Sequence, residues 1–416
     1  MTDVLKSPKL AINGGPKVCA RPQPKWPVWD ETDAEALDGA LRSGWWGIIG
    51  GKAGDKVAEF EQAFAAFQQA KHAVSITSGT AALEIALRAC GLEPGDEVIV
   101  PAYTFIATAS ACLMVNAVPV FVDIEPDTYN IDPAAVEAAI TPRTRAVVPV
   151  HIGGCPADLD AITAIGKKHN LKVIEDAAQA HGAEWKGRRV GAIGDVGCFS
   201  FQSSKNLNCG EGGACVSDND TLYLRCWSLH NVGRLPEGEW YDHPLLGWNY
   251  RMTTFQAALL LSQMARLPEQ MRRRTENAQY LTRRLDEIEG IRPNRVDERV
   301  TGHAYHLYIF RYDAAAFNGL PRGDFIRALN AEGVPCSSGY TPLYRNDAFK
   351  QPDVYAAAFS LGRKIDYSKV YCPVTERAGA EEAIWLYQTW FLGTREDMDN
   401  TADAILKVQQ AARGRQ

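Results

Sequence analysis

Short apolar segments alternate with amphipathic segments through the first half of the chain. The amphipathic stretches at 81–90, 133–140 and 159–169 carry apolar residues at helical spacing. This alternation predicts an α/β fold with a mainly parallel seven-stranded sheet, covered by helices on both faces. The predicted strands are 72–76, 97–100, 118–122, 146–150, 171–174, 196–201 and 214–216.

A different pattern follows residue 253. Helical spacing continues with few breakers to about residue 288, and a strand-like run at 305–312 and helical patterns at 322–332 and 398–412 follow. These elements predict a smaller C-terminal α/β domain, joined to the large one by the long helix. The predicted parts are an N-terminal arm at 1–30, a large cofactor-binding domain at 31–270 and a small domain at 271–416.

Composition and charge narrow the class of protein. The 416 residues are 46% hydrophobic and 23% charged, with a net charge of -6 and no long basic run, which disfavours a nucleic-acid or acidic-membrane partner. No signal-peptide core and no run of about 18 apolar residues occurs, so we expect no membrane span. The ten cysteines are scattered without a CxxC pair, which indicates reduced and mostly buried thiols. Because no export signal is visible we expect a cytoplasmic address, and we expect no metal site.

The segment TSGTAAL at 77–83 follows a predicted strand and opens a predicted helix. Free backbone amides and the helix dipole at such a position favour an anion, for example a phosphate group. Gly79 allows the backbone to approach closely, and the hydroxyls of Ser78 and Thr80 add donors. The segment is not a Walker A motif, and an ordinary strand-to-helix turn with a Ser or Thr cap is the alternative.

Two further segments carry ionisable groups at strand ends. Glu175 and Asp176 end an apolar strand, where ligands bind in open α/β sheets. Asp176 could pair with a protonated ring nitrogen, cap a helix, or bind a metal or a ribose. Lys205 lies between a strand and the glycine-rich loop 209–213. Partial desolvation would lower its pKa and allow a Schiff base, whereas a solvated loop lysine is the ordinary alternative.

The three signals occur together, in an order that fits one cofactor. Pyridoxal phosphate needs a phosphate cradle, an acid at its pyridine nitrogen and a lysine for its aldehyde. The chain places all three at successive strand ends of one predicted sheet, which is far less expected by chance than any one of them. We therefore predict pyridoxal phosphate as the cofactor, carried on Lys205.

The motifs also resemble those of a known family, the DegT/StrS sugar aminotransferases, which share the type I aspartate-aminotransferase fold. The matching stretches are TSGTAAL, VPAYTFIATA, DIEPDTYNID, EDAAQAHGA, FSFQSSKNLNCGEGGA and GWNYRMTTFQAA. The resemblance implies that Lys205 binds the cofactor aldehyde and moves the proton, and that Asp176 holds the pyridinium. The further contacts it implies are Phe105 on the ring, Gln179 at the phenolic oxygen, Gly79, Thr80 and Ser200 at the phosphate, and Asn249 at the phosphate of the neighbouring subunit.

Several features resemble the cyclitol branch of this family, the scyllo-inosose aminotransferases and 3-amino-5-hydroxybenzoate synthases. They are the Trp45–Trp46 pair, SFQSSK, LYRNDAF and WFLGT. The branch implies transfer of an amino group from glutamine or glutamate to a ketone on a sugar or cyclitol, in amino-sugar or aminocyclitol biosynthesis. Candidate substrate residues, each also explicable by packing or by an interface, are Trp45, Trp46, His230, Arg234 and Tyr344.

A homodimer with shared active sites is also expected. Asn249 would serve the neighbouring subunit, and four tryptophans crowd positions 26–46, among Pro and Gly, as is typical of an interface. The alternative is that this tryptophan-rich stretch folds back on its own large domain.

Other functions are possible for the same sequence. A dehydratase on the same fold would use the same cofactor. A non-catalytic regulator would need an appended DNA-binding segment or a damaged site, and neither is visible. A nucleotide-binding dehydrogenase is disfavoured, because no GxGxxG follows the early strands.

Overall fold

The computed structural model describes residues 7, 9–47, 55–350 and 366–414. The strands are β1 (His72–Ile76), β2 (Glu97–Pro101), β3 (Val118–Val122), β4 (Thr144–Val147), β5 (Lys172–Asp176), β6 (Glu184–Trp185), β7 (Arg188–Arg189), β8 (Val196–Ser200), β9 (Gly213–Ser217), β10 (Ile291–Pro293), β11 (Val300–Gly302), β12 (Leu307–Tyr312), β13 (Cys336–Ser337) and β14 (Ala383–Tyr387). The helices are α1 (Glu31–Ser43), α2 (Asp55–Phe67), α3 (Gly79–Ala89), α4 (Ala107–Met114), α5 (Pro133–Ala138), α6 (Leu159–His169), α7 (Asp220–His230), α8 (Thr254–Leu285), α9 (Arg322–Ala331), α10 (Pro373–Arg377) and α11 (Arg395–Ala412).

A seven-stranded sheet forms the centre of the larger part of the molecule, in the strand order β1-β9-β8-β5-β4-β2-β3. The ladders that join β3, β2, β4, β5 and β8 are all parallel, whereas β9 runs antiparallel to both of its neighbours. The predicted mainly parallel sheet is therefore confirmed. Parallel sheets are covered on both faces, which explains why most residues of these strands are apolar and buried.

Each face of this sheet packs against its own helices, because successive strand residues point to opposite faces. Val98 and Val100 of β2 lie in one core with the apolar residues of α3, α4 and α7. Ile99, between them, lies on the other face with residues of α5 and α6. Phe60 and Phe64 of α2 cover that second face at β8 and β9.

The 32-residue helix α8 leads from the large sheet to a second core. It begins at a capping box, in which Thr253 and Gln256 each bond the other's backbone amide. The second core surrounds the four-stranded antiparallel sheet β10-β12-β14-β13, against which α9 and α11 pack. The predicted domain boundary near residue 270 falls inside α8. We propose that the division into a large and a small domain holds, with this helix belonging to both.

The described part of the N-terminal segment packs against this second core. Leu10 and Cys19 are buried among its apolar residues. The carboxylate of Glu332, after α9, accepts a hydrogen bond from the amide of Ala11 at 2.9 Å and pairs with Lys407 at 2.8 Å. The expected arm thus contributes to a core. Leu10 and Cys19 are isolated apolar positions among Pro and Lys and show no helical or strand periodicity. The sequence pattern therefore did not identify them as core residues.

No helix in the described part of the chain is both long and apolar enough to span a membrane. All ten cysteines are unpaired thiols, as their spacing predicts, and eight of them are buried. Burial raises the pKa of the Cys112 thiol to about 12, which keeps it protonated and unreactive.

Candidate active site

A cavity of about 660 Å³ lies at the carboxyl ends of β1, β5 and β8, the edge of a parallel sheet at which ligands bind. Leu307 of β12 and Trp385 of β14 contribute to its wall from the smaller sheet. Asn249, one of nine predicted cofactor contacts, does not line it. The cavity brings together the other eight, which are Ser78, Gly79, Thr80, Phe105, Asp176, Gln179, Ser200 and Lys205.

The N-terminus of α3 forms an anion cradle in this wall. Ser78 is the N-cap, and its hydroxyl accepts a hydrogen bond from the amide of Ala81 at 3.1 Å. The amides of Gly79 and Thr80 have no acceptor among the described residues, as first-turn amides have none within their helix. A Cβ at Gly79 would lie 2.7 Å from the Cβ of Ser200, so glycine is required for this close approach. Two amides, the Ser200 hydroxyl and the helix dipole can hold a phosphate group.

Asp176 ends β5 and presents a buried carboxylate to the cavity. Its Oδ2 accepts a hydrogen bond from Thr108 Oγ1 at 2.7 Å, and its Oδ1 accepts one from the amide of Ala178 at 3.2 Å. Burial raises the pKa of this carboxyl group, while the two hydrogen bonds and the charge of Lys205 oppose the shift. Since no cation of the described residues lies within ion-pair distance, a cationic group of a ligand would supply the missing counter-charge.

The neighbouring Glu175 points to the opposite face of β5 and has a structural role. Its fully buried carboxylate accepts a hydrogen bond from His151 Nε2 at 3.0 Å and from three backbone amides of the segment 191–194 at 2.6 to 2.9 Å. Although burial raises the pKa of Glu175, these hydrogen bonds lower it overall. Of the two carboxylates at the strand end, only Asp176 therefore lines the cavity.

We expect Glu175→Gln to lower the free energy of unfolding by about 3 kcal/mol at neutral pH, because an amide cannot accept all four hydrogen bonds. The folded-state pKa of Glu175 is lowered, so this stabilisation is present above its unfolded pKa and is lost as the pH falls through the folded value. Urea unfolding at neutral and acidic pH measures the difference, which should shrink in acid. Asp176→Asn is the matched control and should change stability little. Equal stability of Glu175→Gln and wild type at neutral pH would contradict the assignment.

Lys205 lies in the turn after β8, where its amide donates to the carbonyl of Gln202 at 2.8 Å. The glycine-rich segment closes this turn, since the amide of Ser203 donates to the carbonyl of Gly210 at 2.8 Å. The amine of Lys205 has no hydrogen-bond or ion-pair partner among the described residues. Burial lowers its pKa to about 8, with the charge of Asp176 opposing the shift. A neutral fraction is therefore present near neutral pH, and the neutral amine is the form that acts as nucleophile or base.

Phe105 and Gln179 line the cavity with partners of their own. Phe105 is 55% exposed although it is apolar, and its ring centroid lies 6.4 Å from that of Tyr340. An aromatic face left open at a cavity can support a flat heteroaromatic ligand. The side chain of Gln179 is held at both ends, because Oε1 accepts from the amide of Gly153 at 2.7 Å and Nε2 donates to the Tyr340 hydroxyl at 3.1 Å. The second hydrogen on Nε2 leaves one donor for a ligand.

Two of the candidate substrate residues belong to the core. Tyr344 is almost fully buried against Phe121, and its hydroxyl donates to Glu376 at 2.8 Å. His230, at the end of α7, is also buried, and its Nδ1 bonds the carbonyl of Trp227 at 2.5 Å. Burial lowers the pKa of His230 to about 4, so the ring stays neutral. Neither side chain lines the cavity, and the structure gives both the packing role that the sequence left open.

The remaining candidate substrate residues and Asn249 lie outside the cavity of their own chain. Trp45 and Trp46 are each more than half exposed. Arg234 Nε donates to the carbonyl of Trp240 at 2.9 Å, and the guanidinium lies over the Trp240 ring. Asn249 is exposed and belongs to an isolated β-bridge. None of these four side chains therefore lines the cavity.

Sequence reasoning missed two groups of residues. Thr108 holds Asp176, and its place in the VPAYTFIATA stretch was a signal that could have identified it. The residues of the second group belong to no common sequence motif, because only the tertiary fold brings them to the cavity. Its members are Trp26, His306, Tyr340, Trp385 and Gln388.

Three kinds of comparison relate the chain to known proteins. A sequence model of the DegT/DnrJ/EryC1/StrS aminotransferase family matches residues 27–386. The chain is 42% identical over 408 residues to a putative L-glutamine:3-amino-2,3-dideoxy-scyllo-inosose aminotransferase of Streptoalloteichus tenebrarius, over 97% of this chain and 98% of that protein. The crystal structure of 3-amino-5-hydroxybenzoic acid (AHBA) synthase matches with a TM-score of 0.83 at 37% identity, over 93% of this chain and 98% of that one.

A further solved structure was obtained with a bound cofactor. NtdA from Bacillus subtilis, with bound PMP, matches with a TM-score of 0.79 at 29% identity, over 91% of this chain and 82% of that one. The fold and the family resemblance predicted from the motifs are confirmed by these matches.

Proposed function

Because this chain belongs to the DegT/DnrJ/EryC1/StrS aminotransferase family, we propose that it transfers an amino group from L-glutamine or glutamate to a ketone on a cyclitol or sugar ring, with pyridoxal phosphate as its cofactor. The observation that carries the proposal is the meeting of Lys205, Asp176 and the N-terminus of α3 in one cavity. This set supplies the lysine, the acid and the phosphate cradle that the cofactor needs.

The residues around the cavity fit the proposed cofactor. A phosphate would find two amides without acceptors at the start of α3. A protonated pyridine nitrogen would neutralise the Asp176 carboxylate, which has no cation beside it among the described residues. An aldehyde would meet the unpaired amine of Lys205, whose pKa is lowered to about 8 by burial. PMP, bound in the NtdA structure, is the amino form of the same cofactor, which supports the assignment.

Pyridoxal phosphate, when bound, withdraws electrons from the carbon that carries the transferred amino group. Lys205 Nζ would take the proton from that carbon of the donor and deliver a proton to the acceptor, and burial favours the neutral amine that this task requires. The Asp176 carboxylate would hold the proton on the ring nitrogen. The hydrogen bonds from Thr108 and Ala178 keep this carboxylate in place. Phe105 would orient the ring and exclude water from one side.

The acceptor is proposed to be a keto-cyclitol of the inosose type. The similar protein of Streptoalloteichus tenebrarius is named for such an acceptor and for L-glutamine as donor. The second candidate is a reaction with loss of water, as in AHBA synthesis, because AHBA synthase has the same fold at 37% identity.

Incubating the purified protein with glutamine or glutamate and a panel of inososes and keto-sugars tests both candidate reactions. Mass spectrometry separates a product with an amine in place of the ketone from one that has also lost water. If no acceptor yields a product, a non-catalytic regulator becomes the favoured function.

We also propose a homodimer with active sites shared between subunits. A single chain leaves large apolar side chains exposed, among them Trp29 (70%), Trp240 (62%) and Leu246 (93%). Exposed apolar surface of this kind usually marks an interface. Asn249 supports sharing, because the family resemblance places it at a phosphate whereas it lies outside the cavity of its own chain.

The ten free thiols also support a cytoplasmic location, because disulfides are rare in a reducing compartment.

The purified protein is expected to absorb near the visible edge through its bound cofactor. Borohydride should remove this band and fix the cofactor to Lys205, the one lysine among the described residues that line the cavity. Absorption spectra and peptide mass mapping measure both effects, and Lys205→Ala is the control that should give no covalent adduct. A protein without cofactor, or an adduct on another lysine, would remove the central claim.

A further inference from the structure

A buried guanidinium without a counter-ion lies behind the cavity. Arg274 of α8 is 0% exposed, and its Nε and Nη2 both donate to one acceptor, Gln388 Oε1, at 2.9 and 2.5 Å. Its Nη1 is buried without an acceptor, and no carboxylate of the described residues lies within ion-pair distance. Burial lowers the pKa of Arg274 to about 9, which still leaves the group charged at neutral pH. An unpaired buried charge is costly, so the arrangement indicates a missing anion.

Two side chains that line the cavity, Trp26 and Gln388, also contact the guanidinium of Arg274. The Trp26 ring covers the guanidinium, with 5.4 Å between the guanidinium carbon and the ring centroid, and Gln388 holds its other edge. Trp26 Nε1 and Gln388 Nε2 donate to the carbonyls of the two residues that precede Lys205, at 2.8 and 3.4 Å. A shift of Trp26 would therefore open Arg274 to a ligand bound beside Lys205.

The cavity itself lacks a cation for a carboxylate. Among the described residues that line it, the charged side chains are Lys205, Asp176 and Glu211. His306 also lines it, but burial lowers its pKa well below the usual value. Under the proposed function Lys205 is engaged in proton transfer, and the two acids repel an anion. Every amino-acid donor nevertheless carries an α-carboxylate, which needs a cation or strong donors when it is buried.

We propose that Arg274 binds the α-carboxylate of the amino-acid donor through its free Nη1, beside Gln388. The planar donor set of arginine matches a carboxylate better than a lysine would. This contact would make the enzyme select an amino acid over an amine that lacks a carboxylate. The inference rests on the proposed function, because a donor amino acid enters the cavity only if the protein is an aminotransferase.

Binding of glutarate tests the inference without turnover, because glutarate has carboxylates but no amine. Glutarate binding is measured by calorimetry on the full-length, cofactor-loaded protein. Arg274→Met should weaken it by about tenfold to 100-fold. Arg274→Lys should bind glutarate with an affinity between those of Arg274→Met and wild type. Pentanediamide, the uncharged analogue, is the matched probe, and the variants should not change its affinity. In steady-state assays Arg274→Met should raise the KM for the donor and leave the KM for the acceptor unchanged.

Arg274→Lys keeps the test decisive if Arg274→Met does not fold. Lysine keeps a positive charge at this buried position but lacks the planar pair of donors, so glutarate binding should still weaken while the affinity for pentanediamide is unchanged. A purely structural Arg274, held by Gln388 Oε1, would leave the glutarate affinity of this variant at the wild-type value. Unchanged glutarate affinity in folded Arg274→Met or Arg274→Lys overturns the inference.

Two further outcomes are distinguishable. If glutarate affinity falls only in Arg234→Met, an arginine of a second subunit holds the carboxylate and the inference is overturned. If the cofactor band and transamination are present while the Arg274 variants bind glutarate normally, the inference fails and the proposed function stands. If the protein carries no cofactor, the proposed function fails, and this inference fails with it.

Discussion

Asp176→Asn is expected to fold normally and to lower turnover by about 100-fold or more. Asparagine has nearly the same shape: its carbonyl can accept the hydrogen bond from the amide of Ala178, and its NH2 group can donate to the Thr108 hydroxyl, which accepts as well as donates. It carries no charge, however, so it cannot hold the proton on the pyridine nitrogen. The loss would therefore fall on the chemical step and leave the packing of β5 intact.

Steady-state kcat and thermal unfolding of the purified variant measure the two effects separately. Glu175→Gln is the matched control at the neighbouring position, because it should cost stability while its site lies on the other face of the strand. Near-normal turnover of Asp176→Asn would show that Asp176 only caps the turn at Ala178.

Mixing two inactive variants, Lys205→Ala and Asn249→Asp, is expected to restore activity under conditions that exchange subunits. If Asn249 acts on the neighbouring subunit's cofactor, a hybrid dimer has one site with both lesions and one site with neither. Random exchange of equal amounts makes half of the dimers hybrid, so about a quarter of wild-type activity should return. Native mass spectrometry of differently tagged chains verifies that hybrids form.

The control mixes Lys205→Ala with a chain that carries both substitutions, and it should recover no activity because every site then lacks the lysine. Verified hybrids of the two single variants without activity would mean that Asn249 serves its own subunit or is not at the site. Either result would also bear on Trp45, Trp46 and Arg234, which do not line the cavity of their own chain.

The local elements and the local chemistry were predictable from the sequence. Strands at 72–76 and 118–122 and the helix at 159–169 have the predicted bounds, because periodicity and turn residues are properties of neighbouring positions. The strand predicted at 146–150 ends earlier, at Val147, since Pro149 has no amide to continue the ladder. The three chemical signals were recognisable for the same reason, because each lies within one strand-to-loop junction.

The tertiary structure alone decided which side chains meet. Arg274 and Gln388 are 114 positions apart, and only the packing of α8 against the end of β14 brings them together behind the cavity. Leu10 became a core residue, and Tyr344 and His230 were packed away from the cavity. Contacts of this kind depend on the arrangement of whole elements, which leaves no period or motif in the local sequence. The sequence by itself thus determined the elements, the family and the chemistry of the strand ends, whereas the fold determined the rest of the cavity wall.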